Sequence, residues 1–282
     1  MTSILRTGID PQPNRTLVAH TLVDDAGAIE CSVELHTGAG YEISSGVPIG
    51  IAVPDHEVAV KLLYLSPGAT PDFQSRAAFE LVQSVLEPGE LFQFDAFPTS
   101  MRDRFLGLIY RRERLHALTS ELLTAQNGST PEPQFLMRAV ALGLGYGRFA
   151  QPDSDSLVCL ADLAGNAVSL CILYNRTIVA VAHMSSGNTP LADDRSRRAF
   201  GIDLKSLVNF HLAGCARHGL SVPLSVVVLC GGLAEPAVQE SLAALFSART
   251  VMPQKIESVR FDCPHESIRF SDCLAALGLT VN

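Results

Sequence analysis

The chain has 282 residues, 47% of them hydrophobic, and a formal net charge of −8 at pH 7. That apolar content suffices for one large domain or two ordinary ones and excludes general disorder. The acidic balance excludes an electrostatic footprint for nucleic acid or anionic lipid, both of which need a concentrated basic face.

The opening residues, Met1 to Arg6, lack a basic stretch followed by a long apolar one. No apolar run reaches the ~18 residues of a membrane span, so a cytoplasmic chain without direct membrane insertion is expected. The seven cysteines are scattered with no CxxC pair. They read as small core residues in a reducing compartment and not as a disulfide framework or zinc site.

In chain order, residues 16–23, 29–35 and 47–53 are apolar or alternating segments between turn-rich stretches, which predicts a β-meander. The pattern then becomes a strand at 58–65, a helix over 71–86 with apolar residues every fourth position, and strands at 91–97 and 104–111. This strand-helix-strand-strand unit, at about 57–111, reads as an inserted subdomain. A helix over 112–124 leads to residues 126–133, QNGSTPEP, the best linker in the chain. The expected division is therefore a first lobe over 1–125 and a second over 134–282.

Past the linker the pattern predicts a helix over 134–146, strands at 156–163, 167–173 and 177–184, and a long helix over 193–218. A buried β-branched strand follows at 224–230, ended by Gly231-Gly232, and then helices over 235–246 and 267–277.

Three places join an apolar strand to small residues, an arrangement that lets backbone N–H groups approach phosphate closely. They are Thr7-Gly8-Ile9-Asp10, the stretch from Leu160 through Asp162 and Gly165 to Asn166, and Cys230-Gly231-Gly232. Turn chemistry alone also accounts for an aspartate before proline or for a Gly-Gly loop. The histidines offer no readable nucleophile arrangement, and His265-Glu266 lacks the second histidine of an HExxH motif. The basic clusters at 111–114 and 193–198 read as solvated helix starts.

The order and spacing of these three places resemble the superfamily of actin, Hsp70 and the sugar kinases. Within it the chain is most similar to the PilM family of type IV pilus assembly, with the GspL cytoplasmic domain of type II secretion as a cousin. The segments that carry this are Ile51-Ala52-Val53-Pro54-Asp55-His56-Glu57-Val58, Ala77-Ala78-Phe79-Glu80-Leu81-Val82, Leu106-Gly107-Leu108-Ile109-Tyr110-Arg111 and Ala275-Ala276-Leu277-Gly278-Leu279.

The resemblance implies a two-lobed α/β, actin-like ATPase (ribonuclease H-like) fold with mixed sheets and an inserted subdomain. It places Asp10 at a first phosphate loop, Asp162 and Gly165 at a second, and Gly231 and Gly232 at an adenosine turn. In such a site aspartates hold a metal with its water shell. Asp10, however, is followed by Pro11-Gln12-Pro13, and proline removes an amide donor. Asn166-Ala167-Val168 leaves no hydroxyl before Ser169, and the span from Gly187 to Asp193 is too short for an adenine-side subdomain.

What the resemblance implies is thus a cytoplasmic scaffold, peripheral to the inner membrane, with a degenerate site that holds Mg-ATP weakly or not at all. Its partner would be the cytoplasmic tail of a single-span inner-membrane assembly protein, and a homo-oligomer remains open. The alternative is an active ATPase or phosphotransferase in which Asp10 and Asp162 position metal and nucleophile.

Overall fold

The computed structural model describes residues 4–13, 15–24, 27–37, 40–42, 46–65, 73–124, 132–151, 156–164, 167–185 and 191–281. The chain begins with β1 (Ile4–Gln12), β2 (Arg15–Val23), β3 (Ile29–His36), β4 (Tyr41–Glu42) and β5 (Ile49–Val53). In β3, Ile29, Cys31 and Val33 turn inward while Glu30, Ser32 and Glu34 face out, the period of two expected of a half-buried strand.

An insertion follows: β6 (Val58–Tyr64), α1 (Phe73–Val82), β7 (Phe92–Pro98) and β8 (Arg104–Arg111), its strands ordered β6-β8-β7. Its core is Leu63, Ala77, Leu81, Phe92, Ala96 and Ile109, the inner face of the helix against the sheet. Then come α2 (Arg112–Leu122), β9 (Leu123–Thr124), β10 (Gln134–Met137) and α3 (Arg138–Phe149).

The second half holds β11 (Leu157–Ala164), β12 (Ala167–Tyr174), β13 (Thr177–Ser185), α4 (Asp194–Arg217), β14 (Leu224–Cys230), α5 (Pro236–Ala243) and β15 (Arg249–Val251). Last are β16 (Val259–Asp262) and α6 (Leu274–Gly278). All of β11 is buried, which fits a central strand covered on both faces. Asn175 and Arg176 both take positive φ between β12 and β13, the backbone of a tight primed hairpin turn.

The two halves are wound alike. The second sheet runs β13-β12-β11-β14-β15, with antiparallel pairs along the meander and parallel pairs beyond it. The first runs β10-β5-β1-β2-β3-β16, repeating that order from β3 to β10 and adding β16 beside β3.

Two helices lie between the sheets, and α6 packs so tightly there that side chains are excluded. A Cβ at Gly278 would collide with the carbonyl of Ala141 in α3, and one at Gly8 with that of Ala276. The largest core cluster fills this layer, including Val140, Leu142, Leu160, Val228 and Leu274. Among the described residues no helix is long and apolar enough to cross a membrane.

Several expectations change. The stretch 134–146 is not one helix: Gln134–Met137 forms β10, parallel to β5, and the helix starts only at Arg138. The reason is tertiary, because Asp55 Oδ1 accepts a hydrogen bond from the Ala139 N–H at 2.8 Å and caps α3 from a distant segment.

Residues 7–10 are strand throughout. They lie inside β1, which pairs with β2 as far as Gln12 and Arg15. The expected helix over 267–277 divides into a 3₁₀ turn, Phe270–Asp272, and the short α6. The helices expected over 71–86 and 235–246 run only Phe73–Val82 and Pro236–Ala243, with residues 71 and 72 outside the described set. Of the expected linker, 126–133, only Glu132 and Pro133 are described.

Candidate functional site

The central strands β1 and β11 each carry a buried aspartate two residues before their C-terminal end. Asp10 is 0% exposed and Asp162 1%, and they meet where the two sheets face each other. Between them lies Arg138, the first residue of α3, itself 7% exposed. Its Nε donates to Asp10 Oδ1 at 2.8 Å and its Nη2 to Asp10 Oδ2 at 3.1 Å. The same Nη2 stands 2.9 Å from Asp162 Oδ2, and Nη1 donates to Ser169 Oγ at 3.3 Å. One guanidinium therefore grips a carboxylate of the first sheet in a fork and reaches a carboxylate and a hydroxyl of the second.

The network continues around the cleft. Gln12 Nε2 donates to Asp10 Oδ2 at 2.8 Å, and Arg15 Nε donates to Gln12 Oε1 at 2.9 Å. Arg15 Nη2 lies 3.7 Å from Asp272 Oδ2, and Asp272 Oδ1 accepts from Arg269 Nη2 at 3.2 Å. Arg269 also donates to the carbonyls of Gly231, at 3.0 Å, and Ala234, at 2.7 Å.

Gly231 has φ +85, and a Cβ there would collide with Asp162 Oδ1 and the backbone of Leu163, so glycine is required by backbone conformation and by close approach. A Cβ at Gly232 would sit 3.3 Å from Arg15 Nη2. The turn expected to face adenosine thus faces an arginine. Of the expected site residues, Asp10, Asp162, Gly231 and Gly232 converge, whereas Gly165 lies outside the described residues.

Charge is tightly balanced here. Burial works against the Arg138 charge, but Asp10 and Asp162 more than offset it and hold the guanidinium firmly protonated. Burial pushes the Asp162 carboxyl up to about 6, against the pull of Arg138 and with help from Asp10, Asp272 and Asp55. Burial also raises Asp55, against the pull of Ser169, Ala139 and Arg138. Ser169 favours the charged form of Asp55 without making a well-formed hydrogen bond to Oδ2, which, like Asp162 Oδ1, has no partner.

As placed, these carboxylates offer a magnesium ion few open oxygens. Both oxygens of Asp10 and one of Asp162 are already taken by side-chain donors, and an added divalent ion would sit against a buried guanidinium. The remaining Asp162 oxygen abuts Gly231. Pro11 and Pro13 contribute no amide donors. The adjoining cavity, of about 310 Å³, is bordered by Pro11, Pro13, Pro54, Leu118 and Ala164, by the acids Asp55 and Glu57, and by Arg114 and Arg138, a lining of mixed charge.

No protein-family model matches the sequence, and no curated protein is a detectable relative. Among solved structures, a chain of a PilM–PilN type IV pilus biogenesis complex is similar over 98% of this chain and 97% of its own length, with 14% identity and a TM-score of 0.63. A Bacteroides thetaiotaomicron protein with an actin-like ATPase fold and unknown function matches over 88% and 90%, at 9% identity and a TM-score of 0.48. The cytoplasmic domain of EpsL, an inner-membrane component of the Vibrio cholerae type II secretion system, matches over 99% and 95%, at 9% identity and 0.45.

The first of these likenesses stands beside this chain's own duplicated strand order and its facing pair of buried aspartates. The chain has the actin-like ATPase fold. It shares that fold with the PilM–PilN chain, and it carries an inserted strand-helix-strand-strand unit and a second half in which β13 ends at Ser185 and α4 starts at Asp194.

Sequence reasoning missed Arg138, Arg15, Asp55, Asp272 and Arg269. Arg138 had a visible signal. It is the lone charge in an apolar run from Phe135 to Leu144, and a charge in such a run requires a buried partner.

Proposed function

We propose that this chain is an assembly scaffold that docks the cytoplasmic tail of an inner-membrane partner and does not turn over Mg-ATP. The observation that carries this reading is Arg138 seated between Asp10 and Asp162, where a nucleotide-dependent relative would need open metal ligands. The similarity to a chain of the PilM–PilN complex supports partner docking as the use to which such a fold is put.

The docking groove lies between the insertion and the first lobe. A cavity of about 340 Å³ there is lined by Gln93, Arg112, Leu115, His116, Thr119 and Phe135, among others. It runs between β7 and β10, each the last strand of its sheet. An extended peptide entering it meets strand edges for backbone pairing and the α2 face for side-chain pockets.

Calorimetry with Mg-ATP is expected to detect no binding in the low micromolar range, and binding there would overturn the reading in favour of an active ATPase. Co-purification with a single-span inner-membrane protein is expected to succeed. Thr119→Arg, which fills the groove, should abolish it while leaving the melting temperature unchanged.

A further inference from the structure

We propose that Arg138 is a built-in cation that holds the two lobes closed, so that closure of the cleft needs no exchangeable ion or ligand. Three buried carboxylates, those of Asp10, Asp55 and Asp162, surround this guanidinium, and its fork joins Asp10 on β1 to Asp162 on β11. Without a positive charge between them, buried aspartates of the two facing sheets repel each other.

The position of Arg138 is over-determined by the backbone. Just before it, Met137 is the last residue of the β10–β5 ladder, and its N–H donates to Tyr110 Oη at 3.1 Å. Just after it, the Ala139 N–H is held by Asp55. The guanidinium is therefore aimed by two fixed points on the first lobe and lands on the second. The chain from Gln12 through Arg15 and Asp272 to Arg269 and the Gly231 carbonyl makes a parallel tie on the adjoining side of the cleft. Both ties are covalently part of the chain, so closure is insensitive to nucleotide concentration. This inference concerns the chain alone and stands whether or not a membrane partner docks.

The test is the melting temperature of Arg138→Ala with and without small cations. The variant should melt roughly 5 °C or more below the wild type, because it leaves the buried carboxylates around it uncompensated. Millimolar magnesium chloride or methylguanidinium chloride should recover part of that loss while leaving the wild type unmoved. Hydrogen exchange in β1 and β11 should quicken in the variant and slow again on adding the cation. Melting at the wild-type temperature, or a loss that neither cation recovers, would overturn the proposal.

Should Arg138→Ala fail to fold, the quadruple variant Arg138→Met, Asp10→Asn, Asp55→Asn, Asp162→Asn decides the matter. With the cation and all three carboxylates around it removed, it should fold and be indifferent to both salts. A quadruple variant that also fails to fold, or that responds to magnesium, would refute an electrostatic clamp.

Discussion

Replacing Asp162 by asparagine gives a direct reading of the strain at the cleft. The carboxyl is 1% exposed, and burial pushes it up to about 6 from an ordinary 3.8. At about 1.4 kcal/mol per pH unit, ionising it inside the fold costs about 3 kcal/mol relative to the unfolded chain. The folded state binds the proton more tightly, so this cost is absent below about pH 4, grows as pH rises from 3.8 to 6, and is constant above that. Between pH 4.5 and 7.5 it grows by about 2 kcal/mol.

Asparagine keeps an acceptor oxygen for Arg138 but cannot ionise. Urea unfolding of both proteins at pH 4.5, 6 and 7.5 therefore isolates the residue, since titration elsewhere cancels in the difference. Asp162→Asn should gain about 2 kcal/mol on the wild type from the lowest pH to the highest, whatever constant offset the altered Arg138 contact adds. A difference that stays flat, or runs the other way, would show that Asp162 is not held uncomfortably charged at neutral pH.

Other substitutions probe the scaffold. Gly278→Ala should cost about 1–3 kcal/mol in thermal or urea unfolding, because the new methyl meets the Ala141 carbonyl. Gly214→Ala, in α4 with nothing near the new methyl, should stabilise by about 0.5–1 kcal/mol in the same assay. Asp55→Ala should cost about 1 kcal/mol by uncapping α3, while Asp55→Asn keeps the acceptor and should lie closer to wild type. Tyr110→Phe leaves the Met137 N–H without its acceptor and should cost about 1–3 kcal/mol, read by urea unfolding.

The sequence made the fold legible wherever local pattern and tertiary demand agreed. The wholly buried β11 and the apolar β14 read as strands because central strands need no polar face. The Asn175-Arg176 turn and the apolar periodicity of α1 likewise carry their structure in a few adjacent residues.

Illegible features were those created by distance. β10 has four residues and is a strand only because β5 lies beside it. β16 pairs with β3 across most of the chain. The site shows the same divide: Asp10 and Asp162 stand out near strand ends, but Arg138 meets Asp10 over a separation of 128 residues. A charge pair that far apart leaves no periodicity to read.

The position of α6 bears on how the chain is made. Its residues, Leu274–Gly278, wedge between α3 and the first sheet, Thr280 Oγ1 lies 2.7 Å from Thr21 Oγ1, and β16 completes the sheet edge. A ribosome delivers these segments only after the second sheet. The N-terminal sheet must wait, open on one face, until the whole second lobe has been synthesised, and contacts of such long range form slowly. The second lobe, whose meander and helices are contiguous, is free to fold first. Loss of Leu274–Gly278 would therefore strip the wedge from a sheet made well before it.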